Sequence, residues 1–482
     1  MRLNSCFKDL LYLGFGLLPL FFTAGILFLT DPLVWSDEAI YVDIAKNWLQ
    51  TGVLKTSMFG DAVYGLQTIA AWYPPLYFYV LGFWLKFFGT SIESVRVLSL
   101  FCATGALVSL FFLAKNLFKN RSLALLTVLL ISTDYFFGRS SRIARMDMFT
   151  FLLLSLSYWF YFFKSRAEKK HLFISGLVSG LAVVAHPLGL IGPTVIVSHL
   201  LFTRSNWRLK IKDILVFGLP VLAIFGWWII CLTDHFEIFW QQWALQVGRK
   251  SDSVTYTWYL WQSSENVWKI LFLVFILAFM AIWTRFLFAK KKEDLFLLLG
   301  LFFSSIMLLY GKEMFYPLYF QPFVSLILVR LYVLVKKEHF WQYLGMMAIG
   351  LVLIINFQLF IKTIEQYSNN NQNYYRFGKE IKANLPSRAV VYLSALPDPY
   401  FILQNEPGLS FYEFPTMYTT DSQYYDLLDR ADYVVYNTVF DKRLNLYLEQ
   451  NELKTKSLTK AGNYDIIVSK LKPKKQRLWP EK

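Results

Sequence analysis

Charged residues and cysteines are both scarce in this chain of 482 residues. Only 17% of its residues are charged and 56% are hydrophobic, a balance that excludes an ordinary soluble protein. The three cysteines, Cys6, Cys102 and Cys231, include no CxxC pair, so they indicate neither a disulfide framework nor a metal cluster. The chain also lacks a Walker loop and the GxSxG and HExxH patterns, which argues against the common nucleotide-dependent and hydrolase mechanisms.

Long apolar runs recur between residues 9 and 361. They predict an all-α polytopic membrane protein with about eleven transmembrane helices, because each run can cross a hydrocarbon core of roughly 30 Å, alone or with modest thinning. The first run lacks a small-residue cleavage site, so we interpret it as a retained span and not as a signal peptide. The predicted spans lie near residues 10–30, 95–114, 122–138, 148–163, 171–185, 188–203, 214–233, 267–285, 294–310, 316–335 and 343–361.

The basic residues predict the orientation in the membrane. The net charge is +15, but most lysines and arginines lie in short links between apolar runs, so we assign this charge to topology and not to nucleic-acid binding. About eleven crossings place the N-terminus in the cytoplasm and the C-terminus outside, in a multi-pass protein of the plasma membrane (the inner membrane of a bacterium). The links on the cytoplasmic side are residues 115–121, 164–170, 204–212, 285–292 and 336–337.

One apolar segment, residues 75–88, is left out of the spans. It contains about 14 residues, which is short for a crossing and typical of a re-entrant or interfacial helix. Counting it as a span would move all the later basic links outside, against the positive-inside rule. Residues 31–94 are therefore predicted to form one external loop, in which residues 36–50 form an amphipathic helix along the membrane surface.

Three arginines interrupt the charge pattern on the external side. Arg139, Arg142 and Arg145 recur every three residues and precede Asp147. The planar fork of arginine suits phosphate oxygens, so the cluster predicts a phosphate-bearing lipid as ligand. The alternative is that these arginines bind outer-leaflet head groups or pair with Asp134 and Asp147.

The first external loop begins with two neighbouring acids, Asp37 and Glu38. At a desolvated membrane surface, an aspartate can accept a proton from an attacking hydroxyl or amine. The structural alternative is an ordinary helix N-terminus, with Ser36 as the cap and the two acids interacting with the helix dipole.

Two further candidates lie next to prolines. Tyr73 precedes Pro74 and Pro75, which predict a rigid turn, and its phenol could donate a hydrogen bond to a phosphate. His186 precedes a proline at a predicted external hairpin, where a lone histidine is either structural or part of the site.

These motifs resemble a known family. The order is WSDEAIYVDIAKNWLQTG, then YPPLYFYVLGFWLKFFG, then SVRVLSLFCATGALVSLFFLAKNLF, then RIARMDMFTFLLLSL. It resembles the membrane glycosyltransferases of the GT-C fold, above all the bacterial branch related to protein O-mannosyltransferases and the lipid A aminoarabinose transferase. The similarity covers roughly residues 9–335 and is most specific over residues 35–155.

The resemblance implies an enzyme that transfers a sugar, hexosyl or pentosyl, from a polyprenyl-phosphate carrier to an external acceptor. It implies that Asp37 is the catalytic base, with Glu38 and Asp147 orienting the acceptor or a metal. It also implies that the donor phosphate is bound by arginines, which maps onto Arg142 and Arg145, with Arg139 as a further candidate.

Tyr73 departs from the family pattern, which often has His or Lys before the double proline. A phenol is neutral near pH 7, so a contact of Tyr73 with a phosphate would be a plain hydrogen bond. The family is split on divalent metals, so the resemblance implies no certain cofactor and leaves metal dependence open.

The chain becomes polar from about residue 366. We predict a membrane domain at residues 1–365 and a small extracytoplasmic α/β domain at residues 366–482, covering the outer face; a role in acceptor binding is a hypothesis. Its predicted strands are residues 389–395, 400–405, 409–414, 433–438 and 464–470, with helical turns near 421–430 and 440–450.

The predicted partners are the lipid bilayer, the polyprenyl-phosphate-sugar donor and an acceptor that is a glycolipid such as lipid A, a protein or a polysaccharide. The alternative is a lipid-linked-sugar flippase or small-solute transporter. Transporters tend to place ionisable residues at the bilayer midplane, whereas the predicted spans here are nearly free of acids and the charges gather at one surface.

Overall fold

The computed structural model describes residues 5–163, 168–203, 205–250, 291–309, 316–335, 339–368, 374–413, 421–437, 442–461 and 464–477, together with Met280 and Trp283. The predicted span at 267–285 lies almost entirely outside these described residues.

Helices make up the first part of the chain. Side-chain caps fix where several of them start: Ser91 accepts a hydrogen bond from the N–H of Ser94, and Asn120 accepts one from the N–H of Leu123. The helices are α1 (Ser5–Leu27), α2 (Ser36–Thr51), α3 (Leu76–Phe88), α4 (Ile92–Phe118), α5 (Arg121–Ser132), α6 (Tyr135–Ser140), α7 (Met146–Tyr161) and α8 (Glu168–Val183).

A second group of helices follows a 3-10 turn at Pro187–Leu190. Helices α1, α4 and α10 are each long and apolar enough to cross a membrane, and shorter apolar helices accompany them. The prediction of a mostly helical, membrane-embedded architecture is confirmed, and the number of spans stays a prediction. The second group comprises α9 (Ile191–Thr203), α10 (Trp207–Cys231), α11 (Phe236–Lys250), α12 (Lys292–Leu309), α13 (Pro317–Val335) and α14 (His339–Ser368).

The predicted span at 122–138 is not one continuous helix. Helix α5 ends at Ser132, and α6 begins after Asp134, whose side chain accepts a hydrogen bond from the N–H of Phe137 at 2.9 Å. An aspartate in this position caps a new helix, so the helix break lies inside the predicted span.

The predicted external loop, residues 31–94, contains two packed helices, α2 and α3. Helix α3 has 13 residues, or roughly 20 Å, which is short of a bilayer crossing. It packs closely against α2 at Gly82, where an added Cβ would lie 2.5 Å from Cε3 of Trp48. In helix α2, which was predicted to lie along the membrane surface, residues 38–42, Ile44 and Ala45 are buried. Lys46 of the same helix donates a hydrogen bond to Gln404 of the C-terminal region.

The C-terminal region folds around a mixed five-stranded sheet. Its strands are β1 (Ala389–Ser394), β2 (Leu409–Glu413), β3 (Tyr433–Asn437), β4 (Glu452–Ala461) and β5 (Tyr464–Leu471), in the order β2-β1-β3-β5-β4. Strand β1 pairs in parallel with β2 and β3, and β5 pairs antiparallel with β3 and β4. The accompanying helices are α15 (Tyr374–Ala383), α16 (Tyr400–Leu403), α17 (Asp421–Arg430) and α18 (Lys442–Asn451).

One predicted C-terminal strand is wrong, and one strand was not predicted. Residues 400–405 form no strand; the short helix α16 starts there because Pro399 precedes it and the Asp398 carboxylate accepts the N–H of Tyr400 at 2.8 Å. Strand β4 was missed because its sequence, ELKTKSLTKA, is polar and carries three lysines. The other four β predictions, at 389–395, 409–414, 433–438 and 464–470, correspond to β1, β2, β3 and β5.

The membrane helices and the sheet share one hydrophobic core. The cluster runs from Leu20 of α1 through Val34 and the membrane helices to Val391 of β1 and Val468 of β5. Backbone bonds join the same parts, since the N–H of Asp398 donates to the carbonyl of Val34 at 2.9 Å. The sheet is therefore fixed against the predicted external loop by apolar packing as well as by hydrogen bonds.

Candidate active site

Arg145 lies between two of the candidate acids. Its Nε donates to Oδ2 of Asp147 at 3.0 Å, and its Nη1 forms an ion pair with Oδ2 of Asp37. The side chains of Arg145 and Asp147 are buried, at 4% and 2% exposure, whereas that of Asp37 is 32% exposed. Asp37 of the predicted external loop and Arg145, 108 residues apart in sequence, therefore meet in one cluster with a partly exposed carboxylate.

Two helix N-termini create this arrangement. Asp37 lies in the first turn of α2 and Asp147 in the first turn of α7, while Arg145 is the extended residue that precedes α7, with φ −124° and ψ 153°. The N-terminal end of a helix carries a partial positive charge, so it stabilises both carboxylates as anions. The same field favours an anionic ligand at this point.

Glu38 anchors the cluster from inside the protein. It is fully buried, and its carboxylate accepts hydrogen bonds from Nε and Nη2 of Arg96 at 3.0 and 2.8 Å. It also accepts the N–H of Ala144 at 2.8 Å and the N–H of Trp35 at 3.1 Å. Because a buried charge is stable only when it is paired and hydrogen-bonded, these contacts fix α2 against the segment that carries Arg145. Glu38 thus sits behind the site and not at its surface.

Aromatic rings enclose Asp147. His186 stacks on Tyr73 and on Tyr319, with ring centroids 6.0 and 6.2 Å apart. Its Nδ1 accepts the N–H of Leu188 at 3.1 Å, so the proton of the neutral ring is on Nε2, which lies 4.0 Å from Oδ1 of Asp147. The hydroxyl of Tyr319 lies 3.4 Å from the same oxygen.

Tyr73 and His186 come together through the backbone. The N–H of Leu76, just after the double proline, donates to the carbonyl of Val184 at 3.0 Å. This bond joins the start of α3 to the hairpin that carries His186. Tyr73 and His186, both predicted from the sequence as candidates, therefore lie next to each other beside Asp147.

The other two arginines pair with Asp31. Nη2 of Arg142 lies 3.0 Å from Oδ2 of Asp31, and Nε of Arg139 lies 3.7 Å from Oδ1. Burial lowers the pKa of Arg142, and the neighbouring Asp31 carboxylate opposes this shift. The structure thus divides the predicted arginine cluster into two sites, one at Asp37 and Asp147 and one at Asp31.

A mostly apolar cavity of about 480 Å³ borders the second of these sites. Residues of α1 and α14 form its walls, including Leu18, Phe22 and Phe357. Asp31 and Arg142 lie at its polar end. This arrangement suits a molecule with an apolar chain and a charged head.

Two sequence comparisons find similar proteins. Residues 73–230 match the family model of dolichyl-phosphate-mannose-protein mannosyltransferases. An uncharacterized protein of Aquifex aeolicus is 29% identical over 203 residues, which are 41% of this chain and 39% of that protein.

Two solved structures are similar over nearly the whole chain. The apo structure of ArnT from Cupriavidus metallidurans has a TM-score of 0.61 at 14% identity, over 96% of this chain and 98% of that one. The apo oligosaccharyltransferase of Archaeoglobus fulgidus has a TM-score of 0.60 at 12% identity, over 93% of this chain and 71% of that one. The chain has the GT-C fold.

This GT-C chain contains site residues that the sequence did not single out. Asp31, at the end of the first apolar run, pairs with two of the arginines. Arg96 is an ionisable residue inside a predicted span, and such residues usually have a specific partner, which here is Glu38. Tyr319 lies far along the chain in α13 and carries no local signal.

Metal dependence stays open. Within the part of the chain that the structure describes, no group of three or more His, Cys, Asp or Glu side chains is arranged to hold a metal ion. Asp37 and Asp147 both contact Arg145.

Proposed function

We propose that the protein is an integral-membrane glycosyltransferase, which transfers a sugar from a polyprenyl-phosphate carrier to an acceptor on the extracytoplasmic face. The observation that carries the proposal is Arg145 held between Asp37 and Asp147 at two helix N-termini. The cluster combines a proton acceptor, a cation for a phosphate and dipoles that favour negative charge.

Asp37 is the catalytic base of this proposal. The acceptor hydroxyl or amine gives its proton to Asp37 while its lone pair forms the bond to the anomeric carbon. The bond from that carbon to the carrier phosphate breaks, and its electrons stay on the phosphate. Asp37 suits this role because its carboxylate is the partly exposed acid of the cluster.

Arg145 balances the charge that develops on the departing phosphate. Its buried guanidinium is held in place by Asp147, so little reorganisation is needed when the phosphate takes over the contact with Nη1. Asp147 is then a positioning residue, supported by His186 and Tyr319. Glu38 positions α2 through Arg96 and does not contact the substrates.

The apolar cavity beside Arg142 is the proposed place for part of the carrier's hydrocarbon chain. Other proteins of this fold bind such carriers: ArnT from Cupriavidus metallidurans has been solved bound to undecaprenyl phosphate, and AglB from Archaeoglobus fulgidus in complex with a dolichol-phosphate and an inhibitory peptide. These relatives support a polyprenyl-phosphate donor. Arg139 and Arg142 remain candidates for contacts to its head group, next to Asp31.

The proposed location is the plasma membrane, the inner membrane in a bacterium, with a cytoplasmic N-terminus. The basic links support this orientation. The membrane domain of residues 1–365 and the extracytoplasmic domain of residues 366–482 stay proposals; helix α14 continues to Ser368, just past the proposed boundary. The fold comparisons favour a transferase over the flippase or transporter alternative.

The experiment is a transfer assay with two classes of donor. Purified protein in lipid nanodiscs is supplied with radiolabelled polyprenyl-phosphate sugars or with the matching nucleotide sugars, together with envelope fractions as acceptors. We expect label to transfer from the lipid-linked donors only, and Arg145→Gln to reduce it by about a hundredfold. Transfer from nucleotide sugars, or undiminished transfer by the variant, would contradict the proposal. Asp234→Asn, at an exposed carboxylate outside the site, is the control.

A further inference from the structure

A second cavity lies outside the active site, where the C-terminal sheet meets the external loop. It measures about 530 Å³ and its lining is mostly polar. We name it the junction cleft and define it by Asp43, Lys46, Asp61, Tyr400, Gln404 and Arg430, which all line it. Strand β2, at the edge of the sheet, contributes Phe411 and Tyr412.

The polar groups of the junction cleft are held in position by their neighbours. Oδ2 of Asp43 accepts the hydroxyl of Thr56 at 2.7 Å, and Nζ of Lys46 donates to Oε1 of Gln404 at 3.0 Å. Burial raises the pKa of Asp43 and lowers the pKa of Lys46. These groups are therefore partly desolvated and fixed, as in a built binding site.

Asp61 and Arg430, which also line the junction cleft, hold each other in position. Arg430 pairs with Asp61 at 2.8 Å. Gly60, next to that aspartate, has φ +50°, and an added Cβ would lie 2.8 Å from Cδ1 of Leu427. Only glycine fits this close approach in a left-handed conformation, so the loop docks tightly on α17.

The charges of the cleft indicate the class of ligand. Asp43 and Asp61 balance Lys46 and Arg430, so the four formal charges sum to zero. Fixed carboxylate, ammonium, amide and guanidinium groups can donate to and accept from many hydroxyls. Aromatic rings such as Tyr412 can pack against the apolar faces of sugar rings. A neutral or zwitterionic oligosaccharide fits this combination better than an anionic or an apolar ligand.

The position of the cleft indicates the size of the ligand. Asp37 and Asp43 are six residues apart on α2, or roughly 9 Å along its axis, and helical periodicity turns them about 120° apart. Lys46 lies on the opposite side of α2 from Asp37, about 180° around the helix axis. The helix with its side chains is about 10–12 Å across. A ligand that occupies the junction cleft and also reaches Asp37 must therefore extend around α2 over several sugar residues.

We infer that the junction cleft binds the distal sugars of the acceptor, which is consequently an oligosaccharide-bearing molecule. This inference rests on the proposed function, because it assigns the acceptor of that reaction. The oligosaccharide can belong to either of two kinds of molecule, a glycolipid or a polysaccharide. The experiment separates these two by solubility. A protein acceptor without sugars is the outcome that would oppose the inference.

The first experiment tests the acceptor class. Envelope fractions are pre-treated with periodate, which cleaves vicinal diols of sugars, or with protease, and are then used as acceptors with radiolabelled polyprenyl-phosphate sugars. We expect periodate to abolish labelling and protease to leave it intact. After the unreacted lipid-linked donor has been removed by chromatography, label extracted into organic solvent identifies a glycolipid, and label that stays in the aqueous phase identifies a polysaccharide. Labelling that resists periodate and is lost with protease would overturn the inference.

The second experiment tests the cleft itself. The double variant Asp61→Asn/Arg430→Gln removes the exposed ion pair at its rim, and Arg376→Gln/Glu380→Gln removes a matched surface pair on α15. We expect the first variant to raise the KM for the acceptor about tenfold with kcat retained, since it loses charge-assisted hydrogen bonds to the ligand. The second should leave KM unchanged.

The outcomes distinguish the inference from the function on which it rests. If wild-type protein labels no fraction, the proposed glycosyltransferase function fails. If wild-type protein transfers sugar and the Asp61/Arg430 variant keeps the wild-type KM, the junction cleft does not bind the acceptor, while the proposed function stands.

Discussion

The active-site cluster and the junction cleft lie on different sides of the same helix, and they use charge in different ways. Next to the N-terminus of α2 the ion pair of Glu38 and Arg96 is buried, with both side chains at 0% exposure. At the rim of the cleft, Asp61 and Arg430 are 70% and 37% exposed. Buried pairs fix geometry and are costly to break, whereas exposed pairs contribute little to stability and remain available to a ligand. We therefore expect a rigid catalytic site around the buried pair and ligand recognition at the exposed pair.

Breaking the innermost pair should have the largest effect on stability. Arg96→Met leaves Glu38 as a buried carboxylate without its cation, so we expect a loss of about 3–5 kcal/mol in the free energy of unfolding. Thermal unfolding in detergent, followed by tryptophan fluorescence, measures it. The double variant Arg96→Met/Glu38→Met should recover much of the loss, because it removes both charges. An equal loss in the double variant would mean that the ion pair is not the cause.

Removing the carboxylate that holds Arg145 should lower kcat more than it lowers the free energy of unfolding. Asp147→Asn keeps the shape of the side chain but removes the charge that holds the guanidinium. We expect kcat to fall about a hundredfold, as for a catalytic group misplaced by about 1 Å, with the KM for the acceptor nearly unchanged. Asp147→Glu should restore part of the rate. Steady-state kinetics with a labelled donor would contradict a positioning role if only KM changed.

The contact between sheet and loop should depend on pH. Burial raises the pKa of Asp398 to about 6, and this residue donates its backbone N–H to Val34. A carboxyl whose folded pKa exceeds its unfolded value of about 3.9 is stable in the protonated form, so the folded state loses stability as pH rises from about 4 to about 6. Melting temperatures across this range should fall, and Asp398→Asn should flatten the slope. An unchanged slope in the variant would show that Asp398 is not responsible.

The smallest effect on stability is expected at the rim of the cleft. Asp61→Asn/Arg430→Gln removes a solvent-exposed ion pair, so its free energy of unfolding should change by about 1 kcal/mol or less. The same thermal assay that detects Arg96→Met serves here. A loss as large as that of Arg96→Met would remove the contrast between the two regions.

Much of the membrane architecture could be predicted from the sequence. Apolar runs and charged links directly reflect burial in a bilayer, so most helices lie close to their expected positions. The resemblance to the GT-C fold is confirmed, and the separate segments of Asp37, Arg145 and Asp147 do meet. The prediction that they meet assumed that residues 75–88 do not cross the membrane, and that topology stays a prediction.

The rest depends on partners that no local pattern shows. Glu38 and Asp37 are adjacent in sequence, but one turns into the core towards Arg96 and the other towards Arg145. Arg142 and Arg145 are three residues apart, yet they pair with acids at different sites. A capping aspartate divided one predicted span, and a lysine-rich strand had no apolar alternation by which to be found. Tertiary pairing decided each of these cases.

The most direct test separates binding from chemistry at Asp37. Wild-type protein and Asp37→Asn are compared in single-turnover transfer from a labelled polyprenyl-phosphate sugar, with the Kd for polyprenyl phosphate measured alongside. If Asp37 is the base, the variant should transfer about 10²–10⁴-fold more slowly and still bind the carrier. Transfer at the wild-type rate by a folded Asp37→Asn protein would contradict the account.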